Sequence, residues 1–336
     1  MSDDAASETL LIDALPGLRM PVTQVTRELS SMWMAPEPRR GRPPEDFRAS
    51  QLNLILHFGL HTSAEEAQDR FQTAVAFAKV YPCRIIVLCP MGRERSDRLL
   101  DAKLYAECFL GEGLREMCCC EALILGYPTR EAGFLTNQVS TWLEGDLPVY
   151  LWTHRVPADR LRENHWDFLQ MCRRIVYDGA IEAGALGKQH FPEPERVVDL
   201  AAARLLPVRQ ALGQFLSGFA PATLIEGMER VEVAGSSSCH AEAIALAEWT
   251  SSRLRACAEA VRSPFTAPVE CNTEARDACL AINWHFTGGR KFLTWELRDA
   301  SEGRIRARFG EAETAVPLPT RFLNPVRALS EALFFS

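Results

Sequence analysis

The apolar run Arg84-Ile85-Ile86-Val87-Leu88-Cys89 indicates the fold class of this chain. Four of its six residues, from Ile85 to Leu88, are β-branched or leucine, which is typical of a strand that is covered on both faces in a parallel sheet. Apolar segments with strand character alternate with helical ones on both sides of this run. The predicted strands are 51–58, 104–110, 121–126, 148–152 and 174–177, and the predicted helices are 63–80, 131–143 and 159–173. This alternation predicts an α/β domain with a mostly parallel, Rossmann-like sheet.

A second region with a different pattern begins near Phe191. Helical segments come first, and alternating segments follow that are joined at Gly288-Gly289 and at Glu302-Gly303, as in antiparallel strands. The predicted helices are 196–206, 208–216, 240–261 and 325–334, and the predicted strands are 231–234, 278–287, 291–297 and 304–309. We therefore expect an N-terminal tail, helix and Pro/Arg-rich linker over 1–47, an α/β domain over 48–190, and a second α+β domain over 191–336 with helices and an antiparallel sheet.

The composition is that of a globular protein and disfavours two classes of partner. The 336 residues are 47% hydrophobic and carry a formal net charge of -7, which disfavours general binding to nucleic acid. No window approaches the roughly 20 apolar residues of a membrane helix, and the first residues lack the pattern of a signal peptide. We expect no nucleic-acid partner, no membrane partner and a cytoplasmic location.

Sequence motifs predict no cofactor, no metal and no catalytic residue. The segment 184–189 resembles a P-loop, but its lysine is followed by Gln189 in place of Ser or Thr, and Gly111-Glu112-Gly113 lacks the third glycine of a dinucleotide fingerprint. His57 and His61 are four residues apart where a strand gives way to a loop. A metal site there would need further ligands that the sequence does not supply.

Acidic residues at the ends of elements are the remaining candidates for chemistry. Glu121, Asp146 and Asp178 lie in apolar surroundings, yet no spacing brings two of them together as an acid and base pair. We favour structural pairing with an arginine such as Arg84 or Arg174.

The cysteines predict reduced thiols with one exception. The chain has 11 cysteines and no export signal, so most of them, Cys279 included, are predicted to be small core residues. The triplet at 118–120 leaves two readings open. On a strand Cys118 and Cys120 share one face, and either could pair with a distant cysteine such as Cys108. The three cysteines are buried structural thiols, or they contribute to a redox-responsive pair.

Several blocks, in a fixed order, resemble a known family. The blocks are Arg48–Ile55, Tyr81–Leu88, Cys120–Leu123, Asp146–Trp152 and Arg174–Asp178, followed by Asp199-Leu200, Arg204-Leu205 and Pro207-Val208-Arg209. In sequence and order they are similar to those of the glucose-6-phosphate dehydrogenase assembly protein OpcA family. None of the blocks is a catalytic motif.

This resemblance implies a non-catalytic assembly factor or allosteric activator. Its partner would be glucose-6-phosphate dehydrogenase, at the entry to the oxidative pentose phosphate pathway, and thioredoxin would be a second partner acting through cysteines. The positions that the family motifs suggest for partner contact are Arg84, Glu121, Asp146, Pro148, Trp152, Asp178, Arg204 and Arg209.

Two alternatives belong to other functional classes. Parallel α/β sheets place ligand pockets at the carboxyl ends of their strands, so the first domain could be a sugar-phosphate-binding enzyme or sensor. That function would need a basic cluster there, for which the sequence offers Arg84, Arg93, Arg95 and Lys103. The other alternative is a thiol-based redox regulator.

Overall fold

A computed structural model describes residues 10–31, 50–92, 100–110, 117–182, 193–274, 278–298 and 303–335. Several predicted features lie outside these residues: the N-terminal tail at 1–10 except its last residue, the linker at 35–46, the motifs at 111–113 and 184–189, and Arg93 and Arg95. The chain divides into two compact units. The second unit is Asp199–Ala328, and the first contains the described residues on either side of it, including the C-terminal residues from Leu329 onward.

The first unit is an α/β unit built on one sheet. Its strands are β1 (Leu18–Met20), β2 (Leu52–Phe58), β3 (Cys83–Met91), β4 (Asp101–Leu110), β5 (Met117–Pro128), β6 (Val149–His154), β7 (Arg174–Tyr177) and β8 (Val197–Asp199). Its helices are α1 (Leu11–Ala14), α2 (Val25–Ser31), α3 (Ala64–Val80), α4 (Ala132–Ser140), α5 (Ala158–Asn164) and α6 (Trp166–Met171).

The sheet has eight strands in the order β1-β4-β5-β3-β2-β6-β7-β8. Strands β5, β3, β2, β6 and β7 pair with one another in parallel. At one edge β4 pairs with β5 antiparallel, and β1 pairs with β4 antiparallel. The α/β class with a mostly parallel, Rossmann-like sheet is therefore confirmed. From β2 the chain builds outward through β3 to β5, and then returns to the other side of β2 with β6. The boundary between β2 and β6 is thus the topological switch point of the sheet.

Both faces of the sheet are covered, which explains the continuous apolar strands. Every residue of β2 and β3 is buried. One face packs in a single hydrophobic cluster with side chains such as Val139 of α4 and Phe168 of α6, whereas α3 contacts β2, β3 and β5. Each fully buried aliphatic or aromatic side chain stabilises the fold by roughly 1.5–3 kcal/mol.

Two predicted helices of the chain are interrupted in the structure. The segment predicted as one helix over 159–173 breaks at His165, where α5 ends and α6 begins. The segment 196–206 starts as strand β8, because Val197 and Val198 are buried in the manner of a strand. Asp199 then caps the following helix by accepting a hydrogen bond from the Ala201 backbone N–H at 2.8 Å.

The second unit packs a long helix on an antiparallel sheet. Its strands are β9 (Met228–Gly235), β10 (Val269–Asn272), β11 (Leu280–Phe286), β12 (Phe292–Leu297), β13 (Gly303–Arg308) and β14 (Thr314–Pro317). Its helices are α7 (Leu200–Arg204), α8 (Leu206–Leu216), α9 (Pro221–Ile225) and α10 (His240–Ala260), and α11 (Pro325–Phe334) runs across the division between the units. The six strands have the order β10-β9-β11-β12-β13-β14, and all pairs are antiparallel except β10 with β9. Burial alternates along β11, β12 and β13, so that one face of the sheet is buried and the other is partly exposed.

One cysteine prediction is wrong in this unit. Cys279, predicted to be a reduced core thiol, forms a disulfide with Cys239, and the two Cα atoms are 6.1 Å apart. The sheet register explains the proximity: β9 pairs with β11 so that Gly235 lies opposite Leu280, and Cys239 follows the end of β9 as Cys279 precedes β11. The Ser236 backbone N–H donates to the Cys279 carbonyl oxygen at 3.0 Å, which fixes the two segments together.

Candidate functional site

The first unit has a cavity of about 490 Å³ at the carboxyl ends of its parallel strands. The strands β2, β3 and β5 contribute their last residues, the segment after β6 contributes Val156 and Pro157, and His165 and Arg160 complete the wall. This is the switch point of the sheet, where open α/β folds bind ligands. Its volume falls within the range of small-molecule sites.

A cluster of aromatic rings with polar nitrogen and oxygen atoms lies in the wall of the cavity. The His57 Nε2 and Tyr127 hydroxyl form a hydrogen bond of 2.7 Å, and the His57 and His165 rings meet edge to face with centroids 4.7 Å apart. His57 and His165 are only 1% and 4% exposed. Among the described residues, Nδ1 of each imidazole is buried without a hydrogen-bond partner.

Burial keeps these groups in their neutral forms near pH 7. It lowers the pKa of His57 well below its usual value, and the neighbouring His165 lowers that pKa further. Burial also lowers the pKa of His165 to about 4 and raises the pKa of the Tyr127 hydroxyl. The cluster therefore offers uncharged donors and acceptors.

Arg160 supplies the positive charge at this cavity. Its side chain lies on α5, is exposed and lines the cavity. Within the described ranges it forms no ion pair with a carboxylate. His61, also exposed, lines the cavity from the loop after β2.

The start of α3 beside the cavity is occupied by a carboxylate of the protein itself. Ser63 and Glu66 form a capping box: Ser63 Oγ accepts from the Glu66 backbone N–H at 3.1 Å, and Glu66 Oε2 accepts from the Ser63 backbone N–H at 3.0 Å. Arg155, which follows β6, donates from Nε and Nη2 to the same carboxylate at 3.0 and 2.6 Å. The hydrogen bond from Arg155 lowers the pKa of Glu66 to about 2, so the carboxylate is ionised. A dinucleotide-binding fold places a pyrophosphate at this helix N-terminus.

Gly59 permits this arrangement. A Cβ atom at this position would lie 1.7 Å from the Arg155 carbonyl oxygen. The Gly59 backbone N–H also donates to the His154 carbonyl oxygen at 2.8 Å. The loop after β2 and the segment after β6 are thus in direct backbone contact, and only glycine fits.

Two of the residues predicted from the family motifs form a buried ion pair. The Arg84 guanidinium binds the carboxylates of Glu121 and Glu144 and donates from Nη1 to the Trp142 carbonyl oxygen at 2.7 Å. The predicted structural pairing of Glu121 with Arg84 is confirmed. Arg84 and Glu121 are 6% and 3% exposed, so this ion pair joins β3 to β5 in the interior of the unit.

The other motif positions differ in their exposure. Trp152 and Asp178 are buried, so in this conformation any effect that they have on a partner acts through the fold. Asp146 is exposed at the turn before β6, with a φ of 65°, and Pro148 is half-buried. Arg204, in the second unit, is half-buried and donates from Nε to Glu242 Oε1 at 2.7 Å. Arg209 is half-buried as well.

The cysteine triplet lies on β5, and Cys108 lies on the neighbouring strand β4. By register Cys108 of β4 lies opposite Cys119 of β5, and Cys118 lies opposite Phe109. Cys120 is buried. The redox role of Cys108, Cys118 and Cys120 stays a prediction.

The prediction of a basic cluster at the strand ends is wrong for its two described members, Arg84 and Lys103. Arg84 lies at the start of β3, and the Lys103 ammonium donates to the carbonyl oxygens of Asp13 and Leu15, at 3.4 and 2.8 Å. His165, Tyr127 and Arg160 were not predicted as site residues. The sequence feature that pointed to this site was the position of His57 at the end of a predicted strand.

The described residues contain neither a metal site nor a membrane-spanning helix. No set of His, Cys, Asp and Glu side chains there is arranged to hold a metal ion. Nor does any described helix combine the length and hydrophobicity that crossing a membrane requires.

Comparison with solved structures gives weak likenesses. Glucose-6-phosphate 1-dehydrogenase from Mycobacterium avium is 10% identical, with 84% of this chain and 86% of that chain covered and a TM-score of 0.41. An oxidoreductase from Sinorhizobium meliloti is 11% identical, with coverages of 85% and 89% and a TM-score of 0.40. Scores this low transfer no function to this chain.

Sequence comparison is more specific. The family model described as "Glucose-6-phosphate dehydrogenase subunit N-terminal domain" matches residues 74–191. A protein of Synechocystis sp. named "Putative OxPP cycle protein OpcA" is 24% identical over 181 residues, which are 52% of this chain. The chain spans 37% of the length of that relative. The resemblance carried by the sequence blocks is therefore confirmed, and residues 74–191 are the part of this chain that is similar to the OpcA family.

Proposed function

We propose that this protein is a non-catalytic assembly factor that binds glucose-6-phosphate dehydrogenase and raises its activity. The observation that carries the proposal is the family match over residues 74–191, which includes β3, β5, β6 and β7 of the first unit. Such a partner would act in the oxidative pentose phosphate pathway and therefore in the cytoplasm.

The geometry at the start of α3 supports a role without hydride transfer. The Glu66 carboxylate occupies the helix N-terminus and accepts from the Ser63 backbone N–H. A nucleotide phosphate at that place would meet a fixed negative charge, and it would have to break the ion pair with Arg155. The first unit therefore has the layering of a dinucleotide-binding fold, but the Glu66 carboxylate lies where such a fold binds a phosphate.

Activation requires a difference in affinity between two states of the enzyme. The protein must bind the active conformation or oligomer of the dehydrogenase more tightly, and a tenfold shift in that equilibrium needs about 1.4 kcal/mol. A small number of accessible contacts is enough to supply this difference.

A kinetic assay with the purified proteins tests the proposal. We expect the full chain to co-elute with the cognate dehydrogenase at micromolar concentration and to raise its kcat or lower its KM. The chain alone is expected to reduce no NADP+ in the presence of glucose 6-phosphate. Absence of co-elution together with unchanged kinetics would reject the partner, and unaided turnover that a single polar substitution abolishes would reject the non-catalytic role.

Asp146 is the exposed motif position at which contact with the partner is best tested. Asp146→Asn removes the charge and keeps a residue type that tolerates the left-handed conformation found there. Asp167→Asn, on α6 and also exposed, is the matched control. We propose that the first substitution weakens co-elution while the second leaves it unchanged; equal binding by both variants would remove Asp146 from the interface.

A redox link through thioredoxin is a second proposal, favoured by the Cys239–Cys279 disulfide. Thioredoxin reduces disulfides by thiol exchange, so it requires an oxidised cysteine pair in its target. Trapping with a thioredoxin variant that lacks its resolving cysteine tests the link. We expect a mixed disulfide with the wild-type chain and none with Cys239→Ser; capture of both, or of neither, would contradict an exchange at this disulfide.

A further inference from the structure

The cavity at the switch point combines buried polar atoms with a charged rim. Nδ1 of His57 and Nδ1 of His165 have no hydrogen-bond partner among the described residues, although both rings line the cavity. Buried polar groups without partners are uncommon in folded proteins, because each has lost water without replacing it. Because both residues line the same cavity, a ligand bound there is the partner that this arrangement offers to the two nitrogens.

The protonation of the cluster defines which ligand groups fit. Burial lowers the pKa values of both imidazoles, so at neutral pH each ring has one nitrogen that donates and one that accepts. The Tyr127 hydroxyl already takes one position on His57. Hydroxyl groups suit the two remaining nitrogens, since a hydroxyl can donate or accept according to the tautomer. A charged group at this depth would be desolvated without a counter-charge.

The rim supplies that counter-charge outside the buried cluster. Arg160 is exposed, lines the cavity and has no carboxylate partner within the described part of the chain. Guanidinium groups bind phosphate and carboxylate in bidentate geometry. The start of α3, by contrast, is closed to an anion by Glu66. A ligand with a pyrophosphate is therefore disfavoured, and one with a single terminal anionic group is favoured.

We propose that the first unit binds a small hydroxylated anion, with its hydroxyl groups on His57 and His165 and its anionic group on Arg160. Sugar phosphates and sugar acids have this chemistry. Arg84 and Lys103, the two described members of the basic cluster predicted at the strand ends, take no part in this site. The inference does not rest on the dehydrogenase as partner.

Isothermal calorimetry of the full chain without any dehydrogenase tests this site. The probes are glucose 6-phosphate, 6-phosphogluconate and gluconate, which differ in the anionic group. Glucose, which has the hydroxyl groups without the anion, and inorganic phosphate, which has the anion without the sugar, serve as the two partial probes, or halves. We expect at least one of the three complete probes to bind, and both halves to bind at least about tenfold more weakly. No binding by any of the three at millimolar concentration, or inorganic phosphate binding as tightly as the complete probes, would overturn the proposal.

Substitutions then assign the binding to the cavity. Arg160→Gln and His165→Phe are each expected to weaken binding at least about tenfold. Arg162→Gln, exposed on the same helix, is the matched control and is expected to bind as the wild type does. Should His165→Phe lose its native near-ultraviolet circular dichroism, the exposed Arg160→Gln still decides the question, and binding that Arg160→Gln leaves unchanged contradicts the site.

Discussion

Arg155 closes an ion pair on Glu66 across the switch point of the sheet, with Nε and Nη2 both donating to the carboxylate. This pair joins the segment after β6 to the first turn of α3, and the same carboxylate caps the helix. The Glu66 side chain therefore both caps α3 and binds the segment after β6 through Arg155. In dinucleotide-binding folds a pyrophosphate lies at such a helix N-terminus, and in this chain the Glu66 carboxylate lies there.

A double-mutant cycle on Glu66→Gln and Arg155→Gln is expected to give a coupling of about 1 kcal/mol, discounted because both side chains are partly exposed. Glutamine keeps an acceptor for the Ser63 backbone N–H, so the cap survives while the charge is lost. The pKa of Glu66 is lowered to about 2, so its contribution to stability is present above its ordinary value of 4.5 and is lost as the pH falls from there toward 2. Urea denaturation at pH 7 measures the coupling. A value near zero would mean that solvent screens the pair.

Gly59→Ala is expected to destabilise the first unit by about 3 kcal/mol or more, because its Cβ would lie 1.7 Å from the Arg155 carbonyl oxygen. Chemical denaturation measures the change. Gly133→Ala, exposed in α4 with no atom within 4 Å of its new Cβ, is the control and is expected to be neutral or stabilising by up to about 1 kcal/mol. Equal stability of the two variants would contradict the close approach.

The strands and the main helices were predictable because their signal is local. The apolar run at 84–89 is long enough to specify a strand that is buried on both faces, and Ser63 with Glu66 specifies the start of α3 from side-chain chemistry alone. The Gly288-Gly289 turn likewise follows from residues that accept positive φ, observed at 79° and 69°.

The candidate site was not predictable because it is built from non-local contacts. His57 and Tyr127 are 70 residues apart in sequence, and their hydrogen bond depends on the strand order around the switch point. His165 reaches the cavity because a predicted continuous helix breaks there. The Cys239–Cys279 disulfide depends in the same way on the register between β9 and β11, which no spacing of cysteines reveals.

The free energy of unfolding of the first unit is expected to fall on acidification already at a pH well above that at which carboxylates are protonated. Burial lowers the pKa values of His154 and His165 to about 4, whereas in the unfolded chain both take up protons near pH 6.5. Because the unfolded state binds more protons between those values, stability falls as the pH is lowered from about 6.5 toward 4. Each histidine should contribute roughly 2 kcal/mol of loss between about pH 8 and pH 5.

Denaturation curves at those two pH values check this dependence, and His154→Gln tests its origin. The variant is expected to lose less stability on acidification than the wild type, by about the contribution of one histidine. His240, half-buried in the second unit, provides the control substitution His240→Gln. Parallel pH profiles for the wild type and His154→Gln would contradict the assignment.

Reduction of the Cys239–Cys279 disulfide is expected to destabilise the second unit. The bridge closes a loop with a sequence separation of 40, for which the loss of chain entropy in the unfolded state corresponds to about 4 kcal/mol. The Tm of the wild type should fall on addition of a reductant, and Cys239→Ser should show a low Tm that the reductant leaves unchanged. Cys257→Ser removes a free thiol of α10 and serves as the control. A wild-type Tm that is indifferent to reductant would contradict the bridge.

The buried ion pair of Arg84 and Glu121 predicts an asymmetric response to substitution. Glu121→Leu alone should cost about 3–5 kcal/mol, because within the described part of the chain it leaves the buried guanidinium with the partly exposed Glu144 as its counter-charge. Replacing both residues, as Arg84→Met with Glu121→Leu, removes the charge that would otherwise remain buried, and should recover a large part of that loss. Equilibrium unfolding in guanidinium chloride measures both variants. A double variant less stable than Glu121→Leu would mean that Arg84 stabilises the sheet chiefly through Glu144 and the Trp142 carbonyl oxygen, to which it donates at 2.7 Å.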